Sequence, residues 1–336
     1  MKVIGAYAIA TGMAGSQVLA SGALMSVFLL LIGATGAITL IGNYIPKPVV
    51  RGVQLSTGVL LMAQGVKFII GSSGFQLLRH SAEPFLTIQS LGSIPIGIII
   101  GVLGGILTLL LLENRRFPAG ILVVLGGILI GLILGTHEGL SSLRININIP
   151  KILPFGLPSW NDLSIAALVL ALPQIPMTLG NAVIAYSDLS EEYFGQASRK
   201  VTYRTACITM ALANLVSFLL GGMPLCHGAG GLAAHYRFGA RTAGSNIIIG
   251  TIFLVLAVFL GIHTLAIVYL IPMSILGVLL AFAGSQLGLT IIDVRERKEL
   301  FTVLVILGIT LASNLAAGFL AGIAVAYALK SKRLTV

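Results

Sequence analysis

The chain has 336 residues, 57% of them hydrophobic and 9% charged, with a formal charge of +10. Soluble domains carry roughly 25% charged residues, so a soluble fold could not hide this much apolar surface, and the composition reads as a polytopic membrane protein embedded in a lipid bilayer. The basic excess argues against a nucleic-acid partner, because Lys and Arg sit in short tips between apolar runs with no interleaved aromatic stripe.

In chain order, the opening "MKVIGAYAIATGMAGSQ" lacks a small-residue cleavage site after a longer apolar core and reads as the middle of a membrane segment. Apolar runs then follow at 18–42, 48–70, 94–112, 117–135, 163–186, 201–221, 243–262, 264–284 and 300–329. The last is long enough for two spans, broken near Ser313-Asn314 and Gly318, while 228–241 is too short and polar to span alone. At roughly 20 residues per span this makes about twelve segments. Basic clusters at Lys47 and Arg51, Arg115 and Arg116, Arg199 to Arg204, Arg237 and Arg241, Arg295 to Lys298, and Lys330 to Arg333 fall on alternate connections. The positive-inside rule then places them, and the C-terminus, in the cytoplasm. "SLRININIP" alternates polar and apolar residues and reads as a short strand or extended loop on the outer side. Cys207 and Cys226 do not make a disulfide framework, and a reduced thiol is expected at each.

An internal repeat organises the chain. "YIPKPVVRGVQL" (Tyr44 to Leu55) matches "YLIPMSILGVLL" (Tyr269 to Leu280), each with an Ile-Pro opening a helix. The Ile-Pro offset of 226 (271 − 45) pairs the opening segment with "HGAGGLAAHYRFG" from His227, so two broken segments hold equivalent places in two halves, as in secondary transporters. A first repeat at 1–135, an extracytoplasmic connector at 136–160 and a second repeat at 161–330 are expected. Two spans precede the second broken segment and none precedes the first, which predicts that about two N-terminal spans are missing.

The break itself is "GGMPLCHGAGG". A helix that begins inside the membrane has N–H groups without intrahelical partners, and these and the helix dipole attract an anion. Pro224 interrupts the preceding run, and Gly228, Gly230 and Gly231 leave backbone open to a ligand. From Gly195 to Ile292 no Asp or Glu is present to repel an anion. Packing glycines are the competing reading. "GAGGLA" also fits G-x-G-x-x-A, but the acidic residue and βαβ context of a dinucleotide site are missing. Adjacent Cys226 and His227 make a poor metal pair, so no metal is expected and His227 is read as a hydrogen-bond donor to a ligand. His235 is a packing or interface residue, and His80, His137 and His263 receive no role. A second constellation precedes the break: in "LPQIPMTLGNAVIAYSDL", Gln174, Thr178, Asn181 and Asp188 recur at i, i+4, i+7 and i+14 and so share a helix face. Pro173 and Pro176 should kink that helix and free carbonyls. Neutral amides and a hydroxyl suit an oxyanion, interhelical polar contacts being the alternative, and Asp188 is expected to be solvated. Lys2 could add an ammonium to the site or be a basic residue without a role.

"PQIPMTLGNAV" with "GGMPLCHGAGGLAAHYRFGAR" resembles the paired signatures of the molybdate transporter family, within the sulfate permease (SulP) superfamily. The resemblance implies an all-α polytopic fold of two inverted seven-span repeats (7+7 type), divided into core and gate, with two half-helices after short strands and substrate between their N-termini. On that template the chain begins at the third span, and no regulatory STAS domain follows. The implied activity is import of molybdate by a secondary active transporter, without cofactor or enzymatic chemistry, across a plasma (inner) membrane, and a homodimer is within expectation. The substrate shell would be Gln174, Thr178, Asn181, Cys226, His227, Gly228, Gly230, Gly231 and Lys2. Sulfate or another anion, a nucleobase, and an uncoupled anion channel remain as alternatives; the sequence offers no nucleophile–base pair for an enzyme.

Overall fold

Residues 4, 8, 13–112, 114 and 118–331 are described by the structure, a computed structural model. Among them the chain is almost wholly helical. It runs α1 (Gly15–Thr35), α2 (Ala37–Asn43), α3 (Lys47–Ile70), α4 (Gly74–Leu78), a hairpin of β1 (Ser90–Leu91) and β2 (Ile94–Pro95), α5 (Ile96–Leu111) and α6 (Ala119–Leu134). The second half holds the long helix α7 (Trp160–Ser198), α8 (Tyr203–Leu219), α9 (Ala229–Arg237), α10 (Gly244–Leu260), α11 (Thr264–Val268), α12 (Met273–Gly288), α13 (Arg297–Ala312) and α14 (Leu315–Ala328). Among the described residues, five helical runs are long and apolar enough to cross a membrane, and α5, α6, α8 and α14 are shorter apolar helices. The chain is a multi-pass integral membrane protein.

Most expected spans are found, with three differences. The run 18–42 is divided at Gly36, whose φ of +76° ends α1 in a left-handed turn that a glycine adopts without steric cost. The run 264–284 does not begin a span at Thr264: α11 ends at Val268 and the spanning helix begins at Met273, after Pro272. The third is the short hairpin after α4, which the apolar pattern did not announce. The break expected at Ser313-Asn314 is present, and the Asn314 side chain caps α14 by accepting from Ala317 N at 2.9 Å. "SLRININIP" is extended without a strand assignment; Asn146 and Asn148 donate backbone bonds to Phe259 and Val258 carbonyls.

Two compact units form, each from non-contiguous pieces. The first takes the described residues of Met1–Thr57, Pro150–Leu232 and Leu287–Val336. Within it α1 packs along α8, and a Cβ on Gly33 would stand 3.0 Å from the Cys207 Cβ, so the absent side chain sets the approach. Met25, Leu29, Leu170, Val183 and Met210 are fully buried between these helices and α7. Lipid tails are as apolar as these side chains, so close van der Waals packing rather than expulsion from water holds the contact. A second cluster joins Val49 and Val53 of α3 to Ile306 of α13 and Leu315 and Phe319 of α14.

The second unit takes the described residues of Gly58–Ile149 and Ala233–Gln286. Here α3 and α12 approach through glycines. A Cβ on Gly65 would lie 2.5 Å from Gly277 O, one on Gly277 equally close to Gly65 O, and one on Gly284 2.5 Å from Gly58 O. The pairs 65 with 277 and 58 with 284 run in opposite directions, so the helices are antiparallel there. Both Ile-Pro sequences precede a helix start, at Lys47 and at Met273. In this unit Glu83, fully buried, accepts from Met273 N and Ser274 N at 2.9 Å each, capping α12. Its loop is held by Gln89, which accepts from Glu83 N and donates to the carbonyls of Glu83 and Leu86. Burial pushes the Glu83 carboxyl above the usual carboxylate range, against the opposing pull of the Ser274 and Met273 bonds.

Candidate functional site

The site forms in the first unit, from the middle of α7, the extended segment 222–228 and the first turn of α9. The two prolines of α7 shape its middle. Neither Pro173 nor Pro176 has an N–H to close an α-helical bond, and the helix responds by widening on either side. Ala166–Ala171 and Thr178–Ile184 are π-helical, with Leu172 N donating to Ala167 O and Ala185 N to Gly180 O, each five residues back. Such widened turns recur at functional positions because they re-aim side chains without ending the helix.

Gln174, Thr178 and Asn181 are all buried. Gln174 Nε2 donates to Thr178 Oγ1 at 3.0 Å, so the first two expected neighbours do meet. The Asn181 carbonyl oxygen accepts from Thr57 Oγ1 of α3 at 3.4 Å, and its amide nitrogen stands 4.0 Å from where a Cβ on Gly228 would be. Asn181 and Gly228, 47 positions apart by their numbers (228 − 181), therefore face each other across a gap that a side chain would narrow. A Cβ on Gly231 would meet nothing within 4 Å. The first α-helical bond of the following turn is Leu232 N to Gly228 O, so the earlier N–H groups of α9 have no acceptor within the helix.

The extended segment is held by residues that the sequence reading passed over. Asn214 of α8, fully buried, donates to Leu225 O at 2.8 Å and accepts from Leu225 N at 2.9 Å, replacing both bonds that a neighbouring strand would make. Its amide also donates to Met210 O at 2.7 Å. Ser217 donates to Met223 O at 2.6 Å, and Pro224 is buried against α1, 3.4 Å from the place of a Cβ on Gly22. A lone Asn within the apolar run "MALANLVSFL" was the available signal. On α3, Thr57 and the fully buried Gln54 are an i, i+3 pair; Gln54 donates to Ala185 O and accepts from Arg51 and Thr290.

His227 lies beside the gap rather than open to it on all sides. Its Nε2 is 2.9 Å from Thr209 Oγ1, and its ring stacks on Tyr186 with centroids 5.1 Å apart. The Thr209 hydroxyl also reaches Thr205 O at 2.9 Å. With its one proton placed there, the imidazole donates through Nε2 to Thr209, which leaves Nδ1 as an acceptor and not the donor expected from the sequence. The Cys226 thiol is free and exposed. Gly230 is half-buried and Gly231 exposed. Asp188 is not simply solvated: it is half-buried and accepts from the Tyr203 hydroxyl at 2.7 Å. The widening at Thr178–Ile184 changes the helical spacing between it and the Gln174–Asn181 row. Lys2 lies outside the described residues. No group of three or more His, Cys, Asp or Glu that could hold a metal occurs among the described residues.

What this arrangement offers is neutral donors and bare backbone around a small gap, with no carboxylate on the extended segment. The family model described as molybdate transporter of the MFS superfamily matches residues 1–61 and 166–287. Molybdate transporter 2 of Arabidopsis thaliana is 33% identical over 99% of this chain and 76% of its own length. Molybdate transporter 1 of the same plant is 28% identical, over 96% of the chain and 74% of its length. The chain belongs to the molybdate transporter family. Gln54, Thr57, Gln174, Thr178, Asn181, Asn214 and the segment 222–228 all lie within the residues matched by the family model. Its named relatives are transporters, not enzymes. Among solved structures, SLC26A9 superposes with a TM-score of 0.59 at 14% identity, over 94% of this chain and half of that one. The transmembrane domain of the cyanobacterial bicarbonate transporter BicA gives 0.54 at 17% identity, over 97% of this chain and 80% of that one. The fold is thus one shared with these two solved structures.

Proposed function

We propose that the chain carries molybdate across a membrane as a secondary active transporter, exposing one site to alternate sides as a core moves against a gate. The observation that carries this reading is the approach of the Asn181 amide to Gly228, just before α9, whose first N–H groups have no acceptor within the helix. A tetrahedral dianion is all acceptor, and donors that need no counter-charge suit it. Backbone from His227 to Gly231 would hold the oxyanion, Gln174, Thr178 and Asn181 would complete its shell, and Cys226 would border it. With Nε2–H directed to Thr209, the His227 Nδ1 is an acceptor, so this residue would contribute its backbone N–H, and Lys2 would add a cation. The named relatives support molybdate over sulfate, and the lack of a carboxylate on the extended segment disfavours a nucleobase.

The two repeats, 1–135 and 161–330, joined by 136–160, would be inverted copies. The antiparallel approach of α3 and α12, which carry the matching Ile-Pro sequences, supports that arrangement. The C-terminus would be cytoplasmic, the membrane a plasma or inner membrane, and a homodimer the assembly.

Uptake of labelled molybdate into proteoliposomes, with sulfate as competitor, tests the proposal. Saturable molybdate uptake that sulfate inhibits weakly, and that falls about tenfold or more in Asn181→Ala, is expected. Equal carriage of sulfate would remove the molybdate assignment. Flux that follows the membrane potential without saturating would replace the transporter with a channel.

A further inference from the structure

A second cavity opens in the first unit where α2, the end of α7 and the start of α8 converge, with a volume of about 490 Å³. Its wall includes Asn43 of α2, Ser187, Asp188 and Glu191 of α7, Arg199, and Tyr203 of α8. Polar groups on this wall are only partly matched by the protein itself. The Ser187 hydroxyl is buried, at 4% residue exposure, with no hydrogen-bond partner among the described residues, although buried polar groups are rarely left so. Asp188 is half-buried, its hydrogen bond comes from a neutral phenol, and the Arg51 guanidinium acts on it without an ion pair between them among the described residues. Glu191 follows it by three positions, a spacing at which like charges on a helix repel. Arg199 lines the same cavity, yet the ion pairs of the described residues join neither Asp188 nor Glu191 to it.

Opposite charges that share a cavity without closing on one another leave a place for a ligand that spans them. A lone metal ion would leave most of this volume open, and an inorganic oxyanion would face two carboxylates. We propose that this cavity binds a small zwitterion of amino-acid size, its ammonium held by Asp188 and Glu191, its acid group by Arg199, and the Ser187 hydroxyl supplying a buried hydrogen bond. The volume lies within the range of small-molecule sites, roughly 300–1,000 Å³. The site is separate from the oxyanion gap and does not depend on the transport reading.

Calorimetric titration of the detergent-solubilised full chain tests it, with L-glutamine as the zwitterion and ethylammonium and acetate as its single-charge halves. Glutamine should bind, and each half at least about tenfold more weakly. Arg199→Gln, at an exposed position, should weaken glutamine about tenfold and leave ethylammonium unchanged, while Ser187→Ala weakens glutamine several-fold. Ethylammonium binding as tightly as glutamine, an Arg199→Gln variant with wild-type glutamine affinity, or no binding by glutamine would each overturn the assignment.

Discussion

Asn214 shows how much of the candidate site depends on one side chain that touches no ligand. It meets the Leu225 N–H and C=O together, and without it both part-buried groups would lose that partner. Asn214→Leu, of similar size, should cost about 2–4 kcal/mol in thermal unfolding, since each orphaned buried polar group costs about 1–3 kcal/mol. Asn214→Asp keeps an acceptor for Leu225 N–H and should recover part of the loss. At Gly228 the expectation is the reverse. A Cβ there finds ordinary van der Waals room 4.0 Å from Asn181, so Gly228→Ala should remain folded by size-exclusion chromatography. The added methyl narrows the gap, and the apparent KM for molybdate should rise about tenfold. Gln174, Thr178 and Asn181 were legible in the sequence because polar residues inside an apolar span stand out. The staple at Asn214 was less so, because its partner is backbone eleven residues on and no side-chain pattern marks it.

Among the elements, α7 and α12 show two ways in which a helix is set by what surrounds it. The two prolines announced that α7 would be irregular, but not that the irregularity would be π-helical turns flanking an α-helical centre. That depends on which carbonyls find donors once the helix is packed against α1 and α14. For α12, the N-terminal amides are met by the Glu83 carboxylate from a distant loop. Because burial raises the Glu83 pKa, the folded state holds its proton at pH values where the unfolded chain has released it. The contribution of this group to stability is therefore greatest below the ordinary value of 4.5 and declines as pH rises from there through the raised folded value. Thermal unfolding across that window should show the decline in the parent chain and lack it in Glu83→Gln. An unchanged slope in the variant would show that another group is responsible.

Across the whole chain, sequence-distant segments are tied by a few charges. Arg51 of α3 pairs with Asp293 and with Glu192 of α7, while Lys47 shares Asp293 at 2.9 Å. The guanidinium is largely enclosed, the two carboxylates are more than a third exposed, and the network is worth correspondingly less than a fully buried one. Arg51→Gln should lower unfolding stability by about 1–2 kcal/mol, with the loss reduced in high salt. A loss independent of salt would mean that packing, not charge, carries the effect.

By itself the sequence determined that the chain is a multi-pass membrane protein, where most spans lie, and that its second half holds a glycine-rich break with no carboxylate near. These follow from hydropathy, charge placement and proline, which act locally and leave their mark in the order of residues. Only the tertiary structure decided that Asn181 faces Gly228, that Asn214 holds the extended segment, that Glu83 caps α12 and that Asp188 lines a second cavity. Each of these is a meeting of groups far apart in the chain, chosen by which buried donors find acceptors, and in an apolar interior that choice is made only when the helices pack.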